Sequence, residues 1–233
     1  MAHGYLASEV LELVAAYSPK CGSNSIRAWY TALIEEASGQ PVIDVDHFLI
    51  SRERASRCED YWKVLFLRDP LRRLVGFYSL WVVRDESLWC FADARQRFPL
   101  RDKSFSEFLL ALQHLRAHDL PLQHHLVPQA ANLQGVDFDE TVAVERLGEG
   151  LAGLNQRLDL DVPIPHKNRS LDDPSLRDFV GDKKPDWFRN VGVPGAEYFF
   201  DVETRALALE LYAADVELYR RRTGLDILRA IEP

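Results

Sequence analysis

The sequence predicts an α/β fold, and three observations carry that prediction. The apolar run "LELVAAYSPK" is short, ends in a polar loop and is followed by "SIRAWYTALIEEAS", in which Ile26, Trp29, Tyr30, Leu33 and Ile34 recur at helical spacing. A second apolar run, "YWKVLFLRDP", is unbroken, as a strand covered on both faces requires. It too gives way to helical spacing, in "LRRLVGFYSLWVV". Strand, loop and helix repeated in this order imply parallel strands joined by crossovers, a central parallel sheet flanked by helices.

In order along the chain, the first strand runs into the loop "YSPKCGSNSIR", and the helix after it stops at Ser38-Gly39. "PVIDVDHFLI" reads as the second strand, which places His47 at a strand end on the sheet edge shared by Lys20 and Arg68. The third strand is bounded by Arg68-Asp69-Pro70. Residues 85 to 140 read as mostly helical, most clearly in "SFSEFLLALQHLRAH", where Ser104 caps and Glu107 follows three residues later. "ETVAVERL" is the fourth strand. "DLDVPIPHKNRSLDDPS" is a connection rich in Pro and Asp that carries the cations His166, Lys167 and Arg169. "DVETRALALELYAADVELYRRRTG" reads as one long amphipathic helix. With no internal repeat and no dividing linker, residues 1–233 are expected to form a single domain.

Composition narrows the function. At 47% hydrophobic and 27% charged the chain reads as a soluble globular protein, and no uncharged apolar run is long enough for a membrane span. The start, "MAHGYLASEVLELVAAY", carries Glu9 and Glu12 and lacks a basic segment, unlike a signal peptide. Cys21, Cys58 and Cys90 are odd in number and unpaired in spacing, which points to reduced thiols and a cytoplasmic protein. The net charge of −8 argues against nucleic acid as a partner, so any anion must be held by a few local cations.

Two stretches supply such cations. A strand that ends in a loop and opens a helix presents unpaired backbone N–H groups, and the helix dipole adds positive charge. Here Lys20 contributes a point charge, Gly22 lets the backbone approach, and Ser23, Asn24 and Ser25 offer side-chain donors. The nucleoside-triphosphate fingerprint, with Gly-Lys-Ser/Thr at its end, is missing. Arg68 stands at the carboxyl end of an apolar strand, where ligands collect in open α/β sheets. His47 and His125 are the candidate bases, while His114, His118 and His124 read as solvated positions. No Cys/His or carboxylate cluster has ligand spacing, so no metal is expected. Trp29, Tyr30, Trp81 and Trp89 read as core rather than as a sugar-stacking platform, and "YRRRTG" as a solvated helix end.

Taken together, "PKCGSNS" and "RDPLRRLVGFY" resemble the signatures of sulfotransferases that use 3′-phosphoadenosine 5′-phosphosulfate (PAPS). Pro19, Lys20, Gly22 and Ser25 match a Pro-Lys-x-Gly-x-Thr-type loop, with Asn24 where threonine is usual. Arg68, Asp69, Pro70, Arg73 and Tyr78 match an Arg-Asp-Pro-x-x-Arg-x-x-Ser-x-Tyr segment, with Gly76 where the family has a serine. "HHLVPQ" (His125, Pro128, Gln129), "PIPHKNRS" (His166, Asn168, Ser170) and a final helix containing Tyr-x-x-Asp are similar to the carbohydrate branch that holds chondroitin, dermatan and heparan 2-O-sulfotransferases.

The resemblance implies a P-loop-like three-layer fold, PAPS as co-substrate, no metal, and a glycan or small hydroxylated acceptor. By the same resemblance Lys20, Cys21, Gly22, Ser23, Asn24 and Ser25 would hold the 5′-phosphosulfate, with Lys20 at the bridging oxygen. Arg68, the position of Gly76, and Asn168, Arg169 and Ser170 would hold the 3′-phosphate. A histidine between the two cofactor motifs is the base in the heparan branch, and His47 is the only one in that interval; His125 is the second candidate. A small-molecule kinase and a non-catalytic nucleotide-binding relative are the alternative readings.

Overall fold

The computed structural model describes residues 4–84, 102–120, 122, 124–165 and 178–228. In chain order they form β1 (Gly4–Ser8), β2 (Leu13–Tyr17), α1 (Ser23–Ser38), α2 (Arg52–Arg57), β3 (Trp62–Leu67), α3 (Pro70–Tyr78) and α4 (Phe105–Ala117). There follow α5 (Gln129–Asn132), β4 (Glu140–Ala143), α6 (Leu147–Leu158), α7 (Pro185–Val191), α8 (Val202–Leu211) and α9 (Ala213–Thr223). Two compact units emerge, each drawn from separate stretches of chain. One comprises Met1–Arg68, Gln129–Arg169 and Arg221–Gly224; the other comprises Asp69–Pro128, Ser170–Arg220 and Leu225–Pro233.

The first unit holds a four-stranded sheet in the order β1-β2-β3-β4. β2 and β3 are parallel, with Tyr17 opposite Phe66, and β3 and β4 are parallel, with Leu67 opposite Ala143. β1 departs from the all-parallel expectation: it pairs antiparallel with β2 through a tight hairpin, which makes the sheet mixed. With helices flanking this sheet the class is α/β, consistent with a P-loop-like fold. Burial explains the unbroken apolar runs, since every residue of β2 and all of β3 after Trp62 are buried.

α1 forms where its apolar period predicts and stops where Gly39 adopts φ 65, a left-handed cap that glycine reaches without a Cβ clash. Its inner stripe, Ile26, Trp29, Tyr30, Leu33 and Ile34, is fully or nearly fully buried. Each such side chain contributes on the order of 1.5–3 kcal/mol of burial. Trp29 meets Phe66 edge-on at 5.9 Å and donates its indole N–H to Asn155 Oδ1 on α6 at 2.8 Å, so its one polar atom is satisfied in the core.

The expected strand in "PVIDVDHFLI" does not form. Asp44 Oδ1 accepts from the Asp46 N–H at 2.9 Å and starts a 3-10 turn, Val45–Phe48; the stretch meets the sheet after it, where Leu49 forms an isolated bridge to Leu6 and the Ile50 N–H donates to Tyr5 O at 2.8 Å. The Asp-x-Asp turn prevails over the β-branched residues around it.

In the second unit α3 opens at Asp69, whose Oδ1 accepts from the Leu71 and Arg72 N–H groups, with Pro70 at the first helical position. Tyr78, Phe105, Phe188 and Phe199 pack edge-on or stacked about one another. α4 carries the expected capping box, with Ser104 and Glu107 each accepting from the other's backbone. The single long C-terminal helix is instead two, α8 and α9, broken at Tyr212. Among the described residues no helix is long and apolar enough to cross a membrane.

Candidate functional site

The loop after β2 is shaped by its first residues. The Cys21 N–H donates to Ser18 O at 3.2 Å, closing a turn with Pro19 and Lys20 at its centre. Proline fixes the first central residue, and Lys20 takes φ 68, the left-handed value that the second position of a type II turn demands. For a residue with a Cβ this conformation costs on the order of 1–2 kcal/mol. Gly22 follows at φ 73 and caps α1. The Ser25 and Ile26 N–H groups both turn back to Gly22 O, at 2.9 and 3.0 Å. That leaves the N–H groups of Gly22, Ser23 and Asn24 without an acceptor among the described residues, at the positive end of a helix that runs to Ser38. The Ser25 N–H is thus committed within the first turn of α1. Cys21 is likewise committed: its thiol is buried and donates to Gln129 Oε1 at 2.9 Å.

β2 and β3 are adjacent and parallel, so the loops that follow them leave the same sheet edge. Arg68, one residue past β3, donates from Nη1 to Lys20 O at 2.8 Å. Its N–H donates to Gln129 Oε1 at 3.1 Å, and Gln129 Nε2 donates to Arg68 O at 2.9 Å. Its remaining guanidinium N–H groups have no partner among the described residues. The structure therefore brings Lys20 and Arg68 together. It also adds Gln129, which the sequence showed only as the end of "HHLVPQ".

The surroundings of the other expected residues differ from one to the next. His47 stands exposed on the 3-10 turn Val45–Phe48 and not at a strand end. Its neighbour Asp46 pairs with Arg27 of α1, which donates onward to the Tyr17 hydroxyl at 3.4 Å. Burial pushes the Tyr17 phenol up, and the Arg27 hydrogen bond opposes it. In the second unit His125 is half-buried with its ring 4.9 Å from Trp81, and Gly76 lies within α3. His124, read as solvated, is instead half-buried against His125 at 4.1 Å, and burial pulls its pKa down. His114 and His118 are exposed, as expected. Asn168, Arg169 and Ser170, together with His166, Lys167, Trp89 and Cys90, lie outside the described residues. No group of three or more His, Cys, Asp or Glu that could hold a metal occurs among the described residues.

Within the second unit the remaining signature residues are scaffold. Arg73 is buried; its Nη2 donates to His125 O and Val127 O, both at 2.8 Å, and Nη1 lies 3.8 Å from Asp215 Oδ2. Tyr212 donates to Leu126 O at 2.7 Å, so Tyr212 and Asp215 of the Tyr-x-x-Asp pattern act on one segment. Tyr78 donates to Lys103 O, and Asp69 Oδ2 accepts from the Leu228 N–H at 2.6 Å.

No curated protein and no solved structure matches the chain. A family model does, that of the sulfotransferase family, over residues 3–220. A match across that span, on a chain whose two signature strand ends lie side by side, places the protein in the sulfotransferase family.

Proposed function

We propose that this protein transfers the sulfuryl group of PAPS to a hydroxyl of a carbohydrate acceptor. The observation that carries this reading is the Arg68–Lys20 contact at 2.8 Å, which sets two cations at the ends of neighbouring parallel strands. The donor set fits a nucleotide with two phosphate termini: three unaccepted N–H groups and an ammonium at one point, and spare guanidinium N–H groups at the other.

Family members generally use PAPS, which supplies the SO3 unit and a phosphate as leaving group. The Gly22, Ser23 and Asn24 amides bind the 5′-phosphate, and Arg68 binds the 3′-phosphate. Lys20 stabilises the negative charge that grows on the bridging oxygen as its bond to sulfur breaks. His47 takes the acceptor's proton as the new oxygen–sulfur bond forms. The tie from Asp46 to Arg27 fixes the segment that carries His47 against α1, the helix that opens at the loop. Charge stabilisation by fixed donors and in-line positioning are sufficient for this class of transfer, by analogy with phosphoryl transfer.

The test has two parts. Adenosine 3′,5′-bisphosphate should raise the melting temperature while ATP with magnesium does not; the reverse pattern would replace this reading with a kinase. Incubated with PAPS, the protein should then sulfate at least one of a panel of desulfated polysaccharides and small hydroxylated compounds. His47→Ala should leave bisphosphate affinity intact and lower turnover by about 10²–10⁴-fold. Unchanged turnover would transfer the base role to His125.

A further inference from the structure

Gln129 takes no part in the chemistry above, yet the residue is 1% exposed and its side chain reaches both halves of the donor site. Its Oε1 accepts from the Cys21 thiol at 2.9 Å and from the Arg68 N–H at 3.1 Å, and its Nε2 donates to Arg68 O at 2.9 Å. Pairing the N–H and C=O of one residue is what a neighbouring strand does. Trp62 donates to Glu12 O beside β2 whereas the Lys63 N–H and C=O pair with Asp139 beside β4, so by strand alternation Arg68 faces β2. The β2–β3 ladder ends with Tyr17 opposite Phe66, and the Gln129 amide supplies the next rung, at Arg68. Because Arg68 returns to Lys20 O, and Lys20 adjoins Cys21, the contacts close a ring: Gln129, Arg68, Lys20, Cys21 and back to Gln129.

We infer that Gln129 is a positioning residue that fixes the distance between the Lys20 loop and Arg68, and so sets the span of the donor site. This rests on the donor-site reading of those two residues. The chemistry selects glutamine. Asparagine is one methylene shorter, glutamate loses the donor to Arg68 O, and methionine matches the length but pairs with neither Arg68 group.

The inference is tested by a double-mutant cycle of wild type, Gln129→Met, Lys20→Ala and the double variant. Each is measured for binding of adenosine 3′,5′-bisphosphate by calorimetry and for melting temperature. Gln129→Met should weaken binding about tenfold in the wild-type background and less than about threefold once Lys20 is alanine, because the position it controls has lost its charge. Equal losses in both backgrounds, as general loosening of the fold would give, overturn the positioning role, and so does no loss in either. A Lys20→Ala variant that binds as well as wild type overturns the donor-site reading itself and this inference with it. If Gln129→Met does not fold, Gln129→Glu, which keeps both acceptor contacts, enters the same cycle under the same criterion.

Discussion

Lys20 and Arg73 are both cations of signature stretches, but they sit in opposite circumstances. Lys20, in the first unit, holds a left-handed turn beside three backbone N–H groups that have no acceptor among the described residues, and it is half-exposed. Arg73, in the second, is 2% exposed, with two carbonyls and a carboxylate around its guanidinium. Adjacent residues show the same divide: Arg68 keeps spare donors, whereas both Asp69 carboxylate oxygens accept backbone N–H groups. A signature that reads as one binding motif thus mixes two kinds of residue. Saturation of hydrogen bonds separates Arg68 from Arg73 where charge does not.

The comparison is broken most readily where a charge is buried. Asp215→Ala removes a buried carboxylate beside Arg73, and breaking a buried pair from one side costs about 3–5 kcal/mol. Chemical denaturation should record that loss, while the folded fraction binds adenosine 3′,5′-bisphosphate with unchanged affinity. A stable variant with impaired binding would move Asp215 from scaffold to site.

Lys20→Gly should do the reverse. Glycine adopts φ 68 without a Cβ clash, so stability should hold or rise by up to about 1 kcal/mol. Turnover should fall by about 10²–10³-fold with the loss of a charge at the leaving oxygen. Lost stability together with full activity would erase the distinction between the two cations.

How much of this was legible in the sequence follows the same physics. β3, α1 with its Gly39 stop, and the Ser104–Glu107 box were readable because local signals and tertiary packing agree there. β1 was hidden because its hairpin turns through Glu9–Glu12 with no Gly, Asn or Pro; Glu12 itself adopts φ 47. α6 was hidden by its glycines. Gly150 lowers helix propensity, but a Cβ there would stand 2.3 Å from Val142 Cγ1, so the glycine is what lets the helix approach β4. In the candidate site the cations were visible as residue types at strand ends. Gln129 was visible only as the end of "HHLVPQ", because the backbone it pairs is brought near only by folding.

Tyr212→Phe sharpens the comparison at lower energy. Burial holds the phenol up at about 12, so it donates to Leu126 O at any working pH. Losing one such bond and leaving a buried carbonyl unpaired should cost about 1–3 kcal/mol. The denaturation midpoint should fall while the bisphosphate Kd stays constant.

The smallest effect lies at Glu107. The Lys184 ammonium, which donates to its Oε2 at 2.5 Å, and the Ser104 N–H at 2.7 Å hold its carboxyl below the usual glutamate range. A carboxyl lowered on folding stabilises the protein above its unfolded pKa of about 4.3 and loses that contribution as pH falls through the lower folded value. Glu107→Gln cannot titrate. Wild type should therefore exceed it at pH 7 by less than about 1 kcal/mol, since the pair is mostly exposed, and the gap should close in acid. Urea midpoints at pH 7 and below pH 4 would show it; a gap that widened in acid would reverse the sign. Because the Glu107–Lys184 pair supplies none of the donors assigned to the nucleotide, bisphosphate affinity at neutral pH should be the same in both proteins, the pattern already expected of Asp215 and Tyr212 and opposite to that of Lys20.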